Sequence, residues 1–352
     1  MSGRPPKQEQ ERASDEVTEV APGVLRAQLP IEFTGLGHVN CYLLEDADGV
    51  AIVDPGLPGP SAFNTLRSRL AQAGFPMRRV HTVIVTHSHH DHFGAAGRVR
   101  HHSGARLVTH RRFRLMWNPS DPPDVDIEDM PELQQRLDRR YPWEPTPWGG
   151  DGIDLPFTRR ALLRASRRFP RLMRAPVPTE RLDDADTITL AGRQWVALHT
   201  PGHTDDHLCL FDPAEGVMLS GDHVLPTITP HIGGLVLDVD PLRTFFESLD
   251  KVAAYGADVS VVLPAHGHPF TNLAGRVESI KQHHLQRLER LRKAATDFGR
   301  PATVGEFAEQ LFPEHVRGAM ADSETYAHLE HLRRAGELQR DTSTAAFQYA
   351  QP

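Results

Sequence analysis

The stretch "VIVTHSHHDHFGAAG", residues 83–97, places four histidines and an aspartate directly after an apolar run. The run of β-branched residues predicts a strand that ends at the polar cluster. Because side chains two positions apart in an extended segment project to the same side, His87, His89 and Asp91 can face one centre while His92 turns toward a second. Imidazole and carboxylate groups are common ligands of zinc and related divalent ions. The spacing therefore indicates a metal site at the end of a strand.

Three more polar motifs follow predicted strands further along the chain. "HTPGHTDDH" places His203 behind a Pro-Gly turn, "LSGDHV" places Asp222 after an apolar strand, and "VVLPAHGHP" places His266 after another. Because each polar residue follows a strand, we expect all three to converge with the first cluster at one edge of the sheets. A solvated histidine-rich loop is the alternative, but random loops rarely reproduce this spacing.

The composition is that of a soluble globular protein and excludes several functional classes. Of the 352 residues, 39% are hydrophobic and 24% are charged, and no apolar run approaches the roughly 18 residues that cross a bilayer. The polar N-terminus lacks the apolar core of an export signal, so we expect a cytoplasmic protein. The net charge of −7 gives no overall basic surface for nucleic acid. Cys41 and Cys209 stand inside apolar runs, which predicts buried thiols rather than a disulfide framework or a cysteine metal site.

Strand and helix patterns alternate over residues 19–271 and predict a layered α/β sandwich. Residues 1–18 are rich in Glu, Gln, Ser and Pro and are expected to be disordered. Residues 111–178 interrupt the alternation as a long insertion. Residues 272–352 predict three helices and a terminal hairpin or wing, and the second helix opens with a capping-box-like spacing of Thr303 and Glu306.

The insertion contains two blocks of opposite charge. Residues 121–132 hold six acids, and residues 159–174 hold seven arginines on a predicted amphipathic helix. Such a helix beside a metal site could recognise phosphate in a substrate. The alternatives are that the arginines pair with the acidic block or form a solvated face. The insertion also contains three tryptophans, Trp117, Trp143 and Trp148. They could form the core of the insertion or a hydrophobic wall of the substrate site, and a core role is the default expectation.

Five motifs in this order, "VDPG", "THSHHDH", "TPGHT", "SGD" and "PAHG", resemble those of the metallo-β-lactamase-fold superfamily of hydrolases, with motifs like those of glyoxalase II. The resemblance implies an αββα sandwich that forms a catalytic domain. The C-terminal helices resemble the winged-helix domain found in one branch of the superfamily. We therefore expect an α/β fold with a helical insertion and a small winged-helix-like C-terminal domain.

The resemblance also implies a ligand set for two metal ions. It assigns His87, His89 and His203 to one ion, and Asp91, His92 and His266 to the other. Asp222 would bridge the pair, Asp54 of "VDPG" would orient the histidine loop, and His90 is not counted as a ligand. Zinc is the expected metal, with manganese or iron as alternatives.

The expected chemistry follows from a pair of ions that share a water and lower its pKa, so that hydroxide is the nucleophile. Asp91 could also accept a proton from that water during turnover. His223 and His231, in the loop that leaves Asp222, are candidates to line the mouth of the site and to protonate a leaving group; a purely structural role is the alternative for each. Three arginines of the insertion are candidates for the same mouth: Arg164, Arg167 and Arg168.

The sequence favours a hydrolase of an ester or thioester, such as an acyl-coenzyme A or a lactone, with a small molecule as its partner. An endoribonuclease or phosphodiesterase of the same fold is the first alternative, and a non-catalytic metal-binding regulatory or scaffold protein is the second. Nucleic acid is not favoured, because the predicted last helix, residues 321–336, mixes acids with its arginines. We expect the C-terminal domain to serve packing or formation of a homodimer, and we expect no membrane partner.

Overall fold

Two β-sheets form the centre of the molecule in the computed structural model. The structure describes residues 7–33, 35–115, 141, 143–150, 152, 154–168, 176–343 and 346–352. Within these residues, the first sheet has seven strands in sequence order, antiparallel from β1 to β4 and parallel from β4 to β7. Its strands are β1 (Val17–Ala21), β2 (Val24–Phe33), β3 (Leu36–Asp46), β4 (Gly49–Val53), β5 (Val80–Ile84), β6 (Arg106–His110) and β7 (Glu180–Leu182).

The second sheet has five strands in the order β12-β11-β10-β9-β8, and only the β11–β12 pair is parallel among them. Side chains from both sheets, among them Ile84 and Trp195, form a buried core between the layers. The strands are β8 (Thr187–Leu190), β9 (Arg193–His199), β10 (Leu208–Asp212), β11 (Val217–Gly221) and β12 (Val261–Pro264).

Helices cover the outer face of each sheet, which confirms the predicted αββα sandwich. Every residue of β4 is buried, as expected for a strand that is covered on both faces. The first sheet is covered by α1 (Pro60–Gln72), α2 (His90–Phe93) and α3 (Ala96–Ser103), and the second by α5 (Pro241–Ala253) and the C-terminal helices. None of the helices in the described ranges combines the length and apolarity that a membrane crossing requires.

The arginine-rich part of the insertion forms a helix, α4 (Phe157–Arg168). Trp148 is only 3% exposed, belongs to the core on the outer face of the second sheet and stacks on Tyr326 with ring centroids 4.5 Å apart. Its position agrees with the core role expected for the tryptophans. The acidic block, residues 121–132, and Trp117 lie outside the described residues, so pairing between the two charged blocks stays a prediction.

The C-terminal segment contains the expected three helices and a small sheet. Thr303 and Glu306 form the predicted capping box at the start of the second helix. The helices share one hydrophobic core with α5, so this segment packs directly against the sandwich. The elements are α6 (Leu273–Phe298), α7 (Val304–Leu311), α8 (Ala319–Arg334) and the strands β13 (Ala302–Thr303), β14 (Gln339–Asp341) and β15 (Gln348–Ala350), in sheet order β13-β15-β14.

Residues 7–18 are ordered, which corrects the expectation of a disordered tail over residues 1–18. Glu9 is fully buried, and its carboxylate accepts hydrogen bonds from the backbone N–H groups of Thr227 at 2.8 Å and Ile228 at 3.0 Å. The segment is held by polar contacts to a distant loop. The prediction was wrong because it inferred order from the apolar residues that a segment can bury, whereas this segment is fixed by polar contacts.

Candidate metal centre

The histidine cluster stands on a short loop that joins β5 to α2. Asp54, just after β4, holds the start of this loop through Thr86, whose backbone N–H and hydroxyl donate to the two carboxylate oxygens, each at 2.8 Å. Asp54 has a φ of 55°, a left-handed conformation that aspartate tolerates better than most residues. The loop is thus fixed to the neighbouring parallel strand before the histidines begin.

The seven residues proposed as metal ligands come together at the ends of strands from both sheets. They form two groups, and within each group the candidate ligand atoms all lie within 4.8 Å of one another. The convergence expected from the sequence is therefore present in the fold. The first group consists of His87, His89, His203 and Asp222, and the second of Asp91, His92 and His266.

In the first group, three ring nitrogens face a common point. Nε2 of His87 and Nε2 of His203 lie 3.0 and 3.1 Å from Nδ1 of His89. Oδ2 of Asp222 lies 3.8 Å from Nε2 of His87 and 3.5 Å from Nε2 of His203. Three imidazoles and a carboxylate make a donor set that zinc prefers.

In the second group, a carboxylate stands beside two imidazoles. Oδ2 of Asp91 lies 3.6 Å from Nε2 of His92 and 3.5 Å from Nε2 of His266. Asp222 faces this group as well, with Oδ2 3.6 Å from Nε2 of His92 and Oδ1 3.2 Å from Nε2 of His266. Asp222 therefore stands between the two groups, where a bridging ligand would have to stand.

Hydrogen bonds outside the site determine which nitrogen of each ring faces inward. The hydroxyl of Thr86 already donates to Asp54, so its oxygen accepts the Nδ1–H of His87 at 3.0 Å. His92 donates its Nδ1–H to Oδ2 of Asp54 at 2.8 Å. A neutral imidazole that donates through one nitrogen carries a lone pair on the other. Both rings thus turn an Nε2 lone pair into the site.

Backbone carbonyls orient two further rings in the same way. Nδ1 of His203 donates to the carbonyl of His231 at 2.7 Å, and Nδ1 of His266 donates to the carbonyl of His38 at 2.6 Å. Both Nε2 atoms are left to face the site. Such outer hydrogen bonds are the usual partners of metal-binding histidines, because they fix the tautomer and the ring orientation.

The polar atoms inside the site are suited to a cation. Nε2 of His92, Nε2 of His266 and Oδ1 of Asp222 are buried and lack a hydrogen-bond partner of suitable geometry among the described residues. Leaving buried acceptors unsatisfied is costly. A divalent ion in each group would satisfy them, so the residues present fit a dinuclear centre.

The electrostatics of the two groups differ. Burial, followed by the neighbouring rings of His92 and His89, holds the pKa of His87 well below its usual value. Burial also opposes charge on His92, but the carboxylates of Asp222 and Asp91 outweigh it and raise the pKa of that ring. The carboxylate-rich group thus attracts positive charge, which a proton or a metal ion can supply.

The two histidines expected at the mouth occupy different environments. His223 is fully buried against the rings of Phe245 and His207, at 5.1 and 5.8 Å between centroids, so its expected place at the mouth is wrong. Burial lowers the pKa of His223 to about 3. The side chain of His231 is 25% exposed, and its Nδ1 lies 3.5 Å from Oε2 of Glu324. His231 therefore stays a candidate to line the mouth.

The arginines expected at the mouth belong to α4. The guanidinium of Arg164 lies 5.1 Å from the ring centroid of Trp143 and 5.8 Å from that of Tyr141. Arg168 is exposed, and the side chain of Arg167 lies outside the described part of the chain. Their contact with a substrate stays a prediction.

Sequence reasoning missed His207, which organises the loop after β11. Its Nε2 accepts the backbone N–H of Asp222 at 3.0 Å, and its Nδ1 lies 2.7 Å from the hydroxyl of Thr200. Gly221 packs so closely on this ring that an added Cβ would lie 2.6 Å from Nε2. The close contact with His207 explains why a glycine precedes Asp222 in "SGD". The histidine at the end of "HTDDH" was the feature of the sequence that could have indicated this role.

A third group of ionisable residues, His284, Glu324 and His328, lies buried between α6 and α8. Nδ1 of His328 donates to the carbonyl of Glu324 at 2.7 Å, so its Nε2 accepts from Nδ1 of His284 at 3.0 Å. The Glu324 carboxylate is already paired with Arg287. Nε2 of His284 is buried without a hydrogen-bond partner among the described residues, but both nitrogens of His328 and the Glu324 carboxylate are engaged. The contacts of His328 and Glu324 therefore favour a hydrogen-bond network over a metal site.

Comparison with known proteins shows which family model matches this chain. A family model described as the metallo-beta-lactamase superfamily matches residues 34–266. A probable metallo-hydrolase, YqjP of Bacillus subtilis (strain 168), is 24% identical over 318 residues, which cover 88% of this chain and 92% of that protein. An atrochrysone carboxyl ACP thioesterase, nsrC of Aspergillus novofumigatus, is 25% identical over 79% of this chain and 66% of its own length.

Two solved structures are similar over nearly the whole chain. A metallo-beta-lactamase family protein from Thermus thermophilus superposes with a TM-score of 0.72 and 28% identity, covering 95% of this chain and 100% of its own. A beta-lactamase domain protein from Burkholderia ambifaria superposes with a TM-score of 0.71 and 27% identity, covering 97% and 96%. The similarity therefore extends beyond the sandwich to the C-terminal segment.

Proposed function

This chain belongs to the metallo-β-lactamase superfamily and is a metal-dependent hydrolase, and from that premise we propose that it cleaves an ester or thioester bond of a small acyl compound. The observation that carries the proposal is the pair of ligand groups with Asp222 between them. We propose His87, His89 and His203 as ligands of one ion and Asp91, His92 and His266 as ligands of the other. Two bound divalent ions, with zinc as our first choice, would supply Lewis acidity and a water of lowered pKa.

The residues of the chain have separate tasks in this proposal. Asp222 keeps the two groups together, and Asp54 keeps the His92 ring in the orientation that turns Nε2 inward. Asp91 is 8% exposed, and its carboxylate can accept a proton during turnover. We propose that His231, whose side chain is partly exposed, donates a proton to a leaving group at the mouth.

Two observations support an acyl substrate over nucleic acid. Relatives of this chain include proteins named as acyl carrier protein thioesterases. In addition, the middle of α8, from Ser323 to Glu330, is buried against the rest of the protein. A helix covered in this way cannot enter a DNA groove as a recognition helix does. Thioester hydrolysis is therefore preferred to nuclease activity.

The proposal is tested with a substrate panel on metal-loaded protein. We expect turnover of an acyl-coenzyme A or another thioester with zinc or manganese, and its loss in the His87→Ala variant. The panel also includes an aryl ester and a lactone as further acyl substrates. Bis-para-nitrophenyl phosphate and single-stranded RNA test the alternative of a phosphodiesterase or endoribonuclease. Cleavage of RNA, abolished by His87→Ala, would overturn the acyl preference. Inactivity of metal-loaded protein on every substrate would favour a binding protein.

The arginines of α4 supply a second part of the proposal. Arg164 and Arg168 lie on an exposed, strongly basic helix that could bind the phosphates of a nucleotide-bearing acyl substrate. Replacing both by glutamine should raise the KM for an acyl-coenzyme A and leave the KM for a simple aryl thioester unchanged. An equal KM for the phosphate-bearing substrate in variant and wild type would assign these residues to the surface alone.

A further inference from the structure

The loop between β11 and α5, residues 222–240, is held by parts of the chain that are far apart in sequence. On one side, Glu9 accepts hydrogen bonds from the backbone of Thr227 and Ile228. Arg276 of α6 donates to the carbonyls of Leu225 at 2.5 Å and Ile228 at 2.6 Å. The first half of the loop, which begins at the central carboxylate, is thereby fixed by the N-terminal segment and α6.

The second half of the loop is fixed by α8. The hydroxyl of Ser323 accepts the backbone N–H of Gly234 at 3.0 Å. The ring of Tyr326 packs against the same glycine, where an added Cβ would lie 2.2 Å from a ring carbon. Oε2 of Glu324 lies 3.5 Å from Nδ1 of His231. Three neighbouring residues of one helix therefore define where residues 231–234 lie.

This part of the loop contacts the metal centre directly. The carbonyl of His231 accepts the Nδ1–H of His203 at 2.7 Å, and that bond directs Nε2 of His203 into the first group. A shift of His231 would rotate the His203 ring or leave its Nδ1–H without an acceptor. Two contacts thus connect α8 to the centre: Glu324 contacts the ring of His231, and the carbonyl of His231 contacts the ring of His203.

We propose that Glu324 is a positioning residue for the metal centre, which holds His231 so that its carbonyl orients His203. The proposal rests on the function proposed above, because it takes His203 as a metal ligand. It gives the C-terminal helices a task beyond packing, since the contact that holds the His231 side chain comes from α8 and not from the sandwich. The C-terminal segment would then be required for full metal affinity.

The two oxygens of Glu324 allow this task to be separated from a structural one. Oε1 is paired with Arg287, which joins α8 to α6, whereas Oε2 faces His231. Burial opposes ionisation of this carboxyl, but the hydrogen bond from His231 and the charge of Arg287 outweigh it and lower its pKa. A purely structural Glu324 would act through Arg287 alone, and loss of the His231 ring would then leave the metal affinity unchanged.

The test compares metal affinity in Glu324→Gln, His231→Ala and the double variant, measured by competition with a chromophoric zinc chelator. His231→Ala keeps the backbone carbonyl and removes only the ring. Thr325→Val is the matched control: it replaces a buried hydroxyl of the same helix that donates to the carbonyl of Ala321. Thermal unfolding of the metal-free proteins monitors the fold independently of the metal.

We expect Glu324→Gln to weaken one of the two zinc-binding steps by about 10-fold, the lower end of what the loss of a contact behind a metal ligand costs. His231→Ala should weaken the same step, and the double variant should be no worse than the more affected single variant, because the two residues act in series. Thr325→Val should retain wild-type affinity. Wild-type affinity in Glu324→Gln, or additive losses in the double variant, would overturn the proposal.

If Glu324→Gln does not fold, Ser323→Ala provides the test, since it removes only the hydroxyl that holds Gly234. A several-fold loss of affinity would support control of the centre by α8, and an unchanged affinity would overturn it. These outcomes are independent of the substrate. Wild-type protein that binds two zinc ions but cleaves no ester or thioester would refute the proposed function and leave the positioning role measurable.

Discussion

Nδ1 of His92 lies 2.8 Å from Oδ2 of Asp54, and both atoms are buried. The same carboxylate accepts two hydrogen bonds from Thr86, so one residue joins the start of the histidine loop to one of its rings. Asp54 contacts Nδ1 of His92, which faces away from the site, and not Nε2, which faces the other ligand atoms. Its influence on the centre is transmitted through the tautomer of His92 and, by way of the Thr86 hydroxyl, through that of His87.

We therefore expect Asp54→Asn to weaken metal binding while the protein stays folded. Asparagine also tolerates a positive φ, so the backbone is preserved. The amide offers only one acceptor in place of two, and either Thr86 or His92 loses its partner. The loss of one metal-binding step should be about 10- to 100-fold, measured by chelator competition. The exposed Asp258→Asn serves as the control, and equal affinities in the two variants would contradict this role.

The main parts of the site were predictable from the sequence because each ligand follows a strand. His87, Asp222 and His266 each come directly after an apolar run, and strand ends of packed sheets meet at an edge. The capping box at Thr303 was predictable for a similar reason, because its contacts are local. Sequence periodicity thus identifies features that depend on a single element and its end.

Contacts between distant segments could not be predicted in this way. Burial of Glu9 depends on a loop more than 200 positions away, and nothing in its own polar neighbourhood indicates a partner. His223 was placed at the mouth because it follows Asp222, yet a tight turn sends it into the core beside Phe245. The direction of a side chain after a turn depends on the backbone of that turn, which pattern arguments do not determine.

The number of bound metal ions provides a second prediction. Wild-type protein should bind two zinc ions per chain, not three, because both oxygens of Glu324 and both nitrogens of His328 already have partners. His328→Gln should retain two ions and lower the unfolding temperature, whereas His203→Ala should bind fewer. Elemental analysis after gel filtration measures the count. A third ion that disappears in His328→Gln would show that the buried network is a metal site.

Trp148 gives a prediction about stability. The ring is almost fully buried and stacks on Tyr326, so Trp148→Ala should lower the free energy of unfolding by about 3–5 kcal/mol. Trp148→Phe should cost much less, because the indole N–H is buried without a hydrogen-bond partner among the described residues. Denaturant midpoints measure both changes. Trp143→Ala, at a partly buried ring, is the control and should have a smaller effect than Trp148→Ala.

The stacked pair of His110 and His199 predicts how stability depends on pH. The rings lie 3.8 Å apart and nearly parallel. Burial, with His199 and Arg112 as the next causes, lowers the pKa of His110 to about 2. Burial lowers the pKa of His199 to about 4, although a hydrogen bond to the carbonyl of Asp205 opposes that shift. Both rings are therefore neutral in the folded protein near neutral pH.

Below the unfolded-state pKa of 6.5, the unfolded chain binds a proton at His110 that the folded protein does not, so stability falls as the pH decreases toward the folded value of about 2. His110→Phe removes this proton-binding site and keeps a ring that can stack. The free energy of unfolding of the variant should therefore fall less steeply with decreasing pH than that of the wild type, and the two slopes should differ by at most about 1.4 kcal/mol per pH unit. Urea unfolding at pH 7, 6 and 5 measures the slope. The exposed His315→Phe should leave the slope nearly unchanged, and parallel curves for His110→Phe and wild type would show that His110 is protonated equally in both states.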